Sequence, residues 1–87
     1  MKTVLITGGS RGIGREIVRA FSKSGYNVAF TYKSSHDEAE ALSRETGALA
    51  IVADSRSEAE VTAAVDKVIS SFGSIDCLVN NAAVSSF

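Results

Sequence analysis

Short apolar runs alternate along the whole chain with longer stretches in which apolar and polar residues recur at helical spacing. The apolar runs are rich in valine, isoleucine and leucine, and they cover residues 3–7, 27–32, 48–53 and 76–80. Runs that stay apolar at consecutive positions are typical of strands covered on both faces, as in parallel sheets. The pattern therefore predicts four buried strands.

The stretches between these runs predict helices over residues 13–24, 36–46 and 58–72. Each is followed by a glycine, which favours the left-handed turn that ends many helices. Ser35 with Glu38 and Ser57 with Glu60 match the capping-box pattern at two helix starts. The residues predicted to face the core are Ile13, Ile17, Val18, Ala20 and Phe21 in the first helix, Ala39, Ala41 and Leu42 in the second, and Val61, Ala64, Val65, Val68, Ile69 and Phe72 in the third.

The resulting order is β-α-β-α-β-α-β. Alternating units of this kind predict an α/β fold, in which a parallel sheet has right-handed crossovers and helices on both faces. A chain of 87 residues forms one domain at most, so residues 1–87 are interpreted as a single structural unit.

Composition and charge exclude several classes of function. The net charge of −1 gives no bulk attraction to nucleic acid or to acidic membranes, so an anion would have to be recognised locally. Cys77 is the single cysteine, which excludes an internal disulfide and a multi-cysteine metal site, and its apolar surroundings predict a buried, inert thiol. The single histidine, His36, lies in a polar helix, where neither a metal nor a catalytic role is expected.

No apolar run approaches the roughly 18 residues of a membrane helix. The apolar run at the amino terminus is also too short for a signal peptide. A cytoplasmic location is therefore expected.

A glycine-rich turn, "GGSRGIG" at residues 8–14, connects the first predicted strand to the first helix. A phosphate approaches a helix N-terminus closely only where the turn lacks side chains and exposes its N–H groups. Gly8 suits the sharp turn at the end of the strand. Gly12 allows a phosphate to approach closely, and Gly14 allows the helix to pack on the strand. The alternative is a turn that serves packing alone.

The turn fits neither of the two commonest nucleotide fingerprints. Its spacing, G-x-x-x-G-x-G, differs from the G-x-G-x-x-G of many dinucleotide-binding folds. A Walker A loop that began at Gly9 would need lysine at position 15 and serine or threonine at 16, where this chain has Arg15 and Glu16. An ATP-type loop is therefore excluded.

"TGGSRGIG" at residues 7–14 and "NNAA" at 80–83 resemble the two amino-terminal motifs of the short-chain dehydrogenase/reductase family, T-G-x-x-x-G-x-G and N-N-A-G. The first motif matches at every fixed position, and the second matches except at Ala83, where the family has glycine. Over its whole length, the sequence is most similar to the 3-oxoacyl-acyl-carrier-protein reductase branch of this family. The resemblance implies a Rossmann-type, doubly wound sheet with strand order 3-2-1-4, and a homo-oligomeric parent protein.

The resemblance also implies a role for particular residues in binding a nicotinamide dinucleotide. The turn that would hold the pyrophosphate comprises Gly8, Gly9, Ser10, Arg11, Gly12, Ile13 and Gly14. Asp54 would accept a hydrogen bond from the adenine amino group beside Ser55, while Asn81, Ala82 and Ala83 would line the adenosine ribose. Thr7 and Asn80 would tie neighbouring strands together. The alternatives are that Asp54 is a loop acid and the two asparagines are turn residues only.

The end of the second strand favours NADP(H) over NAD(H). NAD selectivity usually needs a carboxylate about 20 residues after the turn, to bind the ribose 2′-hydroxyl. This chain has Thr31, Tyr32, Lys33, Ser34 and Ser35 there, and its next acid is Asp37. A 2′-phosphate would meet Lys33, two hydroxyls of this stretch and Arg11, unless Lys33 is merely a surface cation.

The catalytic tyrosine and lysine of the family, spaced Tyr-x-x-x-Lys, lie beyond its N-N-A-G motif. Neither tyrosine here supplies that pair, because Phe30 follows Tyr26 at this spacing and His36 follows Tyr32. The chain is therefore expected to be an amino-terminal cofactor-binding segment without reductase activity of its own. An uncovered fourth strand would favour self-association.

Two other functions stay open at this point. One is a free-standing nucleotide-binding module completed by another chain. The other is a receiver-like signalling domain with Asp54 as phosphate acceptor, although that class needs paired acids where this chain has Thr7 and Gly8.

Overall fold

The computed structural model describes residues 1–81. These residues form β1 (Thr3–Ile6), α1 (Gly12–Lys23), β2 (Asn27–Tyr32), α2 (His36–Thr46), β3 (Leu49–Val52), α3 (Glu58–Phe72) and β4 (Cys77–Val79). The predicted alternation of strands and helices is confirmed, and each element begins and ends within one residue of its predicted bounds.

The four strands of this region form one parallel sheet in the order β3-β2-β1-β4. Thr3 is in register with Asn27 of β2, and Val4 is in register with Cys77 of β4. The predicted order 3-2-1-4 is therefore confirmed. Because all strands run the same way, the loops that follow β1, β2 and β3 meet at one edge of the sheet.

Each face of the sheet has its own hydrophobic core. Val4, Ile6 and Phe30 pack on one face with residues of α1 and α2. Leu5 and Ala29 pack on the other face with Ala64 and Val68 of α3. Residues that alternate along β1 and β2 therefore serve opposite faces, which confirms a doubly wound, Rossmann-type sheet.

The buried stripe of α1 agrees only in part with the predicted one. Three of the predicted residues are buried or pack against the core: Ile17, Val18 and Phe21. Gly14 and Val18, one helical turn apart, are the buried residues of α1. Ile13 is 72% exposed and Ala20 is also exposed, because both lie off this contact line. The predicted stripe therefore extended too far around the helix, to the side where Ile13 and Ala20 lie.

Smaller predictions about the helices and Cys77 also need correction. Ala41 and Ile69 are exposed, since Leu42 and Val68 beside them make the core contacts. Cys77 is half-buried rather than buried, on a strand at the edge of the described sheet. None of the helices within residues 1–81 is long and apolar enough to cross a membrane.

The two predicted capping boxes are only partly formed. Ser35 precedes α2, but its side chain makes no capping hydrogen bond within the described chain. Ser57 Oγ accepts a hydrogen bond from the Glu60 backbone N–H at 3.3 Å, as predicted. The Glu60 carboxylate reaches past Ser57 and accepts from the backbone N–H of Asp54 at 2.9 Å. This contact ties the loop after β3 to the start of α3.

Candidate functional site

An open cleft of about 640 Å³ lies at the sheet edge where β1, β2 and β3 end. Its walls come from the glycine turn, from the ends of β2 and β3, and from the chain after β4. The lining residues are Gly8, Ser10, Arg11, Gly12, Ile13, Tyr32, Lys33, Ser34, Ser35, Ala53, Asp54, Ser55, Arg56 and Asn81. Parallel α/β folds bind ligands at this edge.

Two glycines of the turn adopt backbone conformations that other residues avoid. Gly8 has φ 70° and Gly12 has φ 58°, both in the left-handed region. A Cβ atom at Gly12 would meet no described atom within 4 Å, so the space above it is open. The backbone N–H of Gly8 donates to Thr31 Oγ1 at 3.1 Å, which fixes the turn against β2.

Gly9 and Gly14 have a different role, since neither is among the described residues that line the cleft. A Cβ at Gly9 would lie 2.6 Å from Cβ of Phe30. A Cβ at Gly14 would overlap the carbonyl oxygen of Gly8 and lie 2.7 Å from Asn81 Nδ2. Both glycines therefore let the turn pack closely on the core and leave the cleft wall to Gly8 and Gly12.

The N-terminus of α1 is well suited to bind an anion. Within residues 1–81 no side chain caps it, and its first turn contains no acidic residue. The other two helices differ, since α2 begins with Asp37 and Glu38 and α3 with Glu58. The free N–H groups and the positive end of the helix dipole of α1 thus meet the cleft without a carboxylate in the helix's own first turn.

Asparagines after β4 connect that strand to the glycine turn. Thr7 Oγ1 donates to Asn80 Oδ1 at 3.1 Å, as expected from the predicted tie between strands. Asn81 Nδ2 donates to the carbonyl oxygen of Gly8 at 2.9 Å. Asn81 therefore both lines the cleft and holds the turn in place. Ala82 and Ala83 lie outside the described residues.

Charged residues cluster on the opposite wall of the cleft. Both carboxylate oxygens of Asp54 accept hydrogen bonds from the Arg56 guanidinium, from Nε at 3.2 Å and from Nη2 at 3.1 Å. The backbone N–H of Arg56 also donates to Asp54 at 2.9 Å, and Lys33 Nζ lies 3.6 Å from Asp54 Oδ2. The Arg56 hydrogen bonds, chiefly those of its side chain, lower the pKa of the Asp54 carboxyl well below its usual value.

Tyr32 closes the cleft at the end of β2. Its side chain is buried, and its hydroxyl forms a hydrogen bond of 2.9 Å with His36 Nδ1. His36 Nε2 in turn lies 3.4 Å from Glu40 on the next turn of α2. These contacts hold the aromatic ring of Tyr32 beside Lys33 and Ser34.

The cleft brings together most of the residues predicted from the sequence to bind a dinucleotide. The exceptions are Gly9 and Gly14, which pack beneath it, and the two alanines beyond the described region. Sequence reasoning missed Ala53 and Arg56. The sequence feature that could have identified Arg56 is its position two residues after Asp54, in a loop already predicted to reach this edge of the sheet.

Comparison with known proteins settles the family. Residues 2–87 match the sequence model of the short-chain dehydrogenases. The chain belongs to this family. It is 51% identical over 86 residues to the cyclic-di-GMP-binding biofilm dispersal mediator protein of Escherichia coli K12, a match that covers 99% of this chain. It is 45% identical over 89 residues to the 3-oxoacyl-acyl-carrier-protein reductase FabG of Staphylococcus aureus Mu50, a match that covers 97% of this chain.

A solved structure is similar to this chain in both fold and sequence. The crystal structure of a blue fluorescent protein from a metagenomic library, in complex with NADPH, has a TM-score of 0.88 and is 45% identical. The match covers 92% of this chain and 35% of that one. The chain likewise spans about a third of its relatives, 35% of the Escherichia coli protein and 36% of the Staphylococcus aureus enzyme.

Proposed function

We propose that this chain is the NADP(H)-binding segment of a short-chain carbonyl reductase. The parent reaction would be the NADPH-dependent reduction of a ketone, such as a 3-oxoacyl group on acyl carrier protein, to the hydroxy compound. One observation carries the proposal: an uncapped helix N-terminus and the cations Arg11 and Lys33 line the same cleft. Membership of the short-chain dehydrogenase family supports a nicotinamide dinucleotide as the ligand.

The glycine turn would bind the pyrophosphate of the cofactor. Its left-handed Gly12 leaves open space at the N-terminus of α1, so phosphate oxygens can reach the backbone N–H groups. Asn81 holds Gly8 by a hydrogen bond of 2.9 Å, which reduces the conformational freedom that the turn would lose on binding. The bound cofactor would supply a hydride, and these residues would position it.

The adenosine end would lie between β2 and β3. Arg56 donates two hydrogen bonds to Asp54 Oδ1 and one to Oδ2, so Oδ2 keeps a lone pair that could accept from the adenine amino group. Arg11, Lys33 and the hydroxyl of Ser34 would bind a ribose 2′-phosphate. The residues between Thr31 and Ser35 include no carboxylate that would repel it.

Residues 1–87 alone would bind cofactor without reducing a substrate. They contain no Tyr-x-x-x-Lys pair, so they offer no proton donor of the family's type to a carbonyl oxygen. Association with another chain through β4 stays a prediction, with Leu78 on this strand 58% exposed.

A titration followed by NMR tests where the cofactor binds. Addition of NADPH to the 15N-labelled chain should shift the backbone amides of Gly8, Gly12 and Ile13 most, because they face the pyrophosphate. Amides on the outer face of α3, such as those of Asp66 and Ser70, should not move. The largest shifts at α3, or no shifts at all, would contradict the proposal.

A cyclic dinucleotide is the second candidate ligand for this cleft. The relative that is 51% identical is named as a cyclic-di-GMP-binding protein, and the cleft has cations on both walls for two phosphates. The same titration with cyclic-di-GMP distinguishes the candidates. Cyclic-di-GMP that shifts these amides at lower concentration than NADPH would favour the second candidate.

A further inference from the structure

Asp54 places a negative charge on the wall that would receive the 2′-phosphate. Its side chain is 26% exposed, and Lys33 Nζ lies 3.6 Å from Oδ2. Taken alone, these two residues form a neutral pair, in which Lys33 is committed to the carboxylate. A doubly charged phosphate would then have to compete with Asp54 for the one lysine.

Arg56 changes the charge and the geometry of this pair. Its guanidinium contacts both oxygens of Asp54, and its backbone N–H adds a third hydrogen bond. Paired contacts of this kind are geometrically specific and stronger than the single ammonium contact of Lys33. Asp54 therefore keeps a cationic partner when Lys33 moves away, and the cluster of three residues carries a net positive charge.

We infer that Arg56 is a specificity-determining positioning residue: it binds Asp54 and thereby releases Lys33 to contact a ribose 2′-phosphate. This inference rests on the proposed function. Arg56 acts on the phosphate through the other two residues, so its loss weakens NADPH binding only while Asp54 keeps its charge. NADH lacks the 2′-phosphate and does not depend on Lys33.

Affinities of NADPH and NADH for four chains test this coupling. Arg56→Gln should weaken NADPH binding about fivefold, the upper end of the range for an exposed ion pair, and change NADH binding less than about twofold. The double variant Asp54→Asn/Arg56→Gln should bind NADPH as tightly as Asp54→Asn alone. Arg44→Gln, which removes the same charge from an exposed position on α2 outside the cleft, should leave both affinities unchanged.

Two results of these binding measurements would overturn the inference. One is an equal loss of NADPH and NADH affinity in Arg56→Gln. The other is that Arg56→Gln lowers NADPH affinity by the same factor in the Asp54→Asn chain as in wild type. Arg56 would then contact the phosphate directly.

An NMR titration of the Asp54 carboxyl without cofactor separates this inference from the proposed function. If Arg56 weakens the hold of Asp54 on Lys33, then Lys33→Gln raises the pKa of Asp54 more in the Arg56→Gln background than in wild type. Equal effects in both backgrounds would refute the release of Lys33, whether or not NADPH binds. A failure of wild type to bind NADPH would instead count against the proposed function.

Discussion

Gly14→Ala should abolish measurable NADPH binding and lower the free energy of unfolding by about 3 kcal/mol, the upper part of the range for overpacked sites. The added methyl group would overlap the Gly8 carbonyl oxygen and lie 2.7 Å from Asn81 Nδ2 and 3.0 Å from Gly9 Cα. Two of these three neighbours are backbone atoms of the turn, which is hydrogen-bonded to β2 and cannot retreat without losing its shape. The cofactor would then meet a displaced turn.

Gly73→Ala is the matched control for this substitution. Gly73 ends α3 with φ 90°, and a Cβ there would meet nothing within 4 Å in the described part of the chain. Its replacement should cost about 1–2 kcal/mol, through the left-handed backbone alone, and leave NADPH affinity unchanged. Urea unfolding and cofactor titration of both variants measure these effects. A Gly14→Ala chain that binds NADPH as wild type does would contradict the role given to the turn.

The double variant Arg11→Gln/Lys33→Gln should lower NADPH affinity about 30-fold and leave NADH affinity within about twofold of wild type. Charge-assisted hydrogen bonds contribute roughly 1.5–3 kcal/mol each, but exposed ion pairs contribute only about 1 kcal/mol or less. Lys33 is 61% exposed at its side chain, so we take about 1 kcal/mol for each contact. Two such contacts correspond to the stated loss.

A control with the same change in charge distinguishes local contacts from net charge. Lys23→Gln/Arg44→Gln removes two exposed cations that do not line the cleft, and its NADPH affinity should equal that of wild type. Calorimetric titration of both double variants with both cofactors provides the comparison. An equal loss of NADPH and NADH affinity in Arg11→Gln/Lys33→Gln would show that these cations do not recognise the 2′-phosphate.

The fold was predictable from the sequence because its strands are marked by unbroken apolar runs. The run at 27–32 became β2 without change, and the strand order followed from the family resemblance. The inward face of α1 was not predictable in the same way. Ile17 and Val18 were placed correctly, but the predicted stripe also included exposed Ile13, because a glycine carries no hydrophobic signal that would centre the stripe on Gly14.

The candidate site was predictable where a motif marks backbone geometry, as at Gly8 and Gly12. It was less predictable where a side chain could form hydrogen bonds with any of several neighbouring groups. Arg56 and Asp54 meet because the loop after β3 turns back on itself, and Glu60 stabilises that loop by accepting from the Asp54 N–H. No residue spacing distinguishes this arrangement from a solvated arginine. The close contact of Gly9 with Phe30 likewise depends on packing between distant parts of the chain.

Calorimetric titration of the 87-residue chain with NADPH, and separately with NADH, tests the central claim most directly. The account predicts that one cofactor binds per chain and that NADPH binds at least about tenfold more tightly than NADH. The reason is that NADPH, unlike NADH, carries the 2′-phosphate that Arg11 and Lys33 would contact. Equal affinity for both cofactors, tighter binding of NADH, or binding of neither would contradict it.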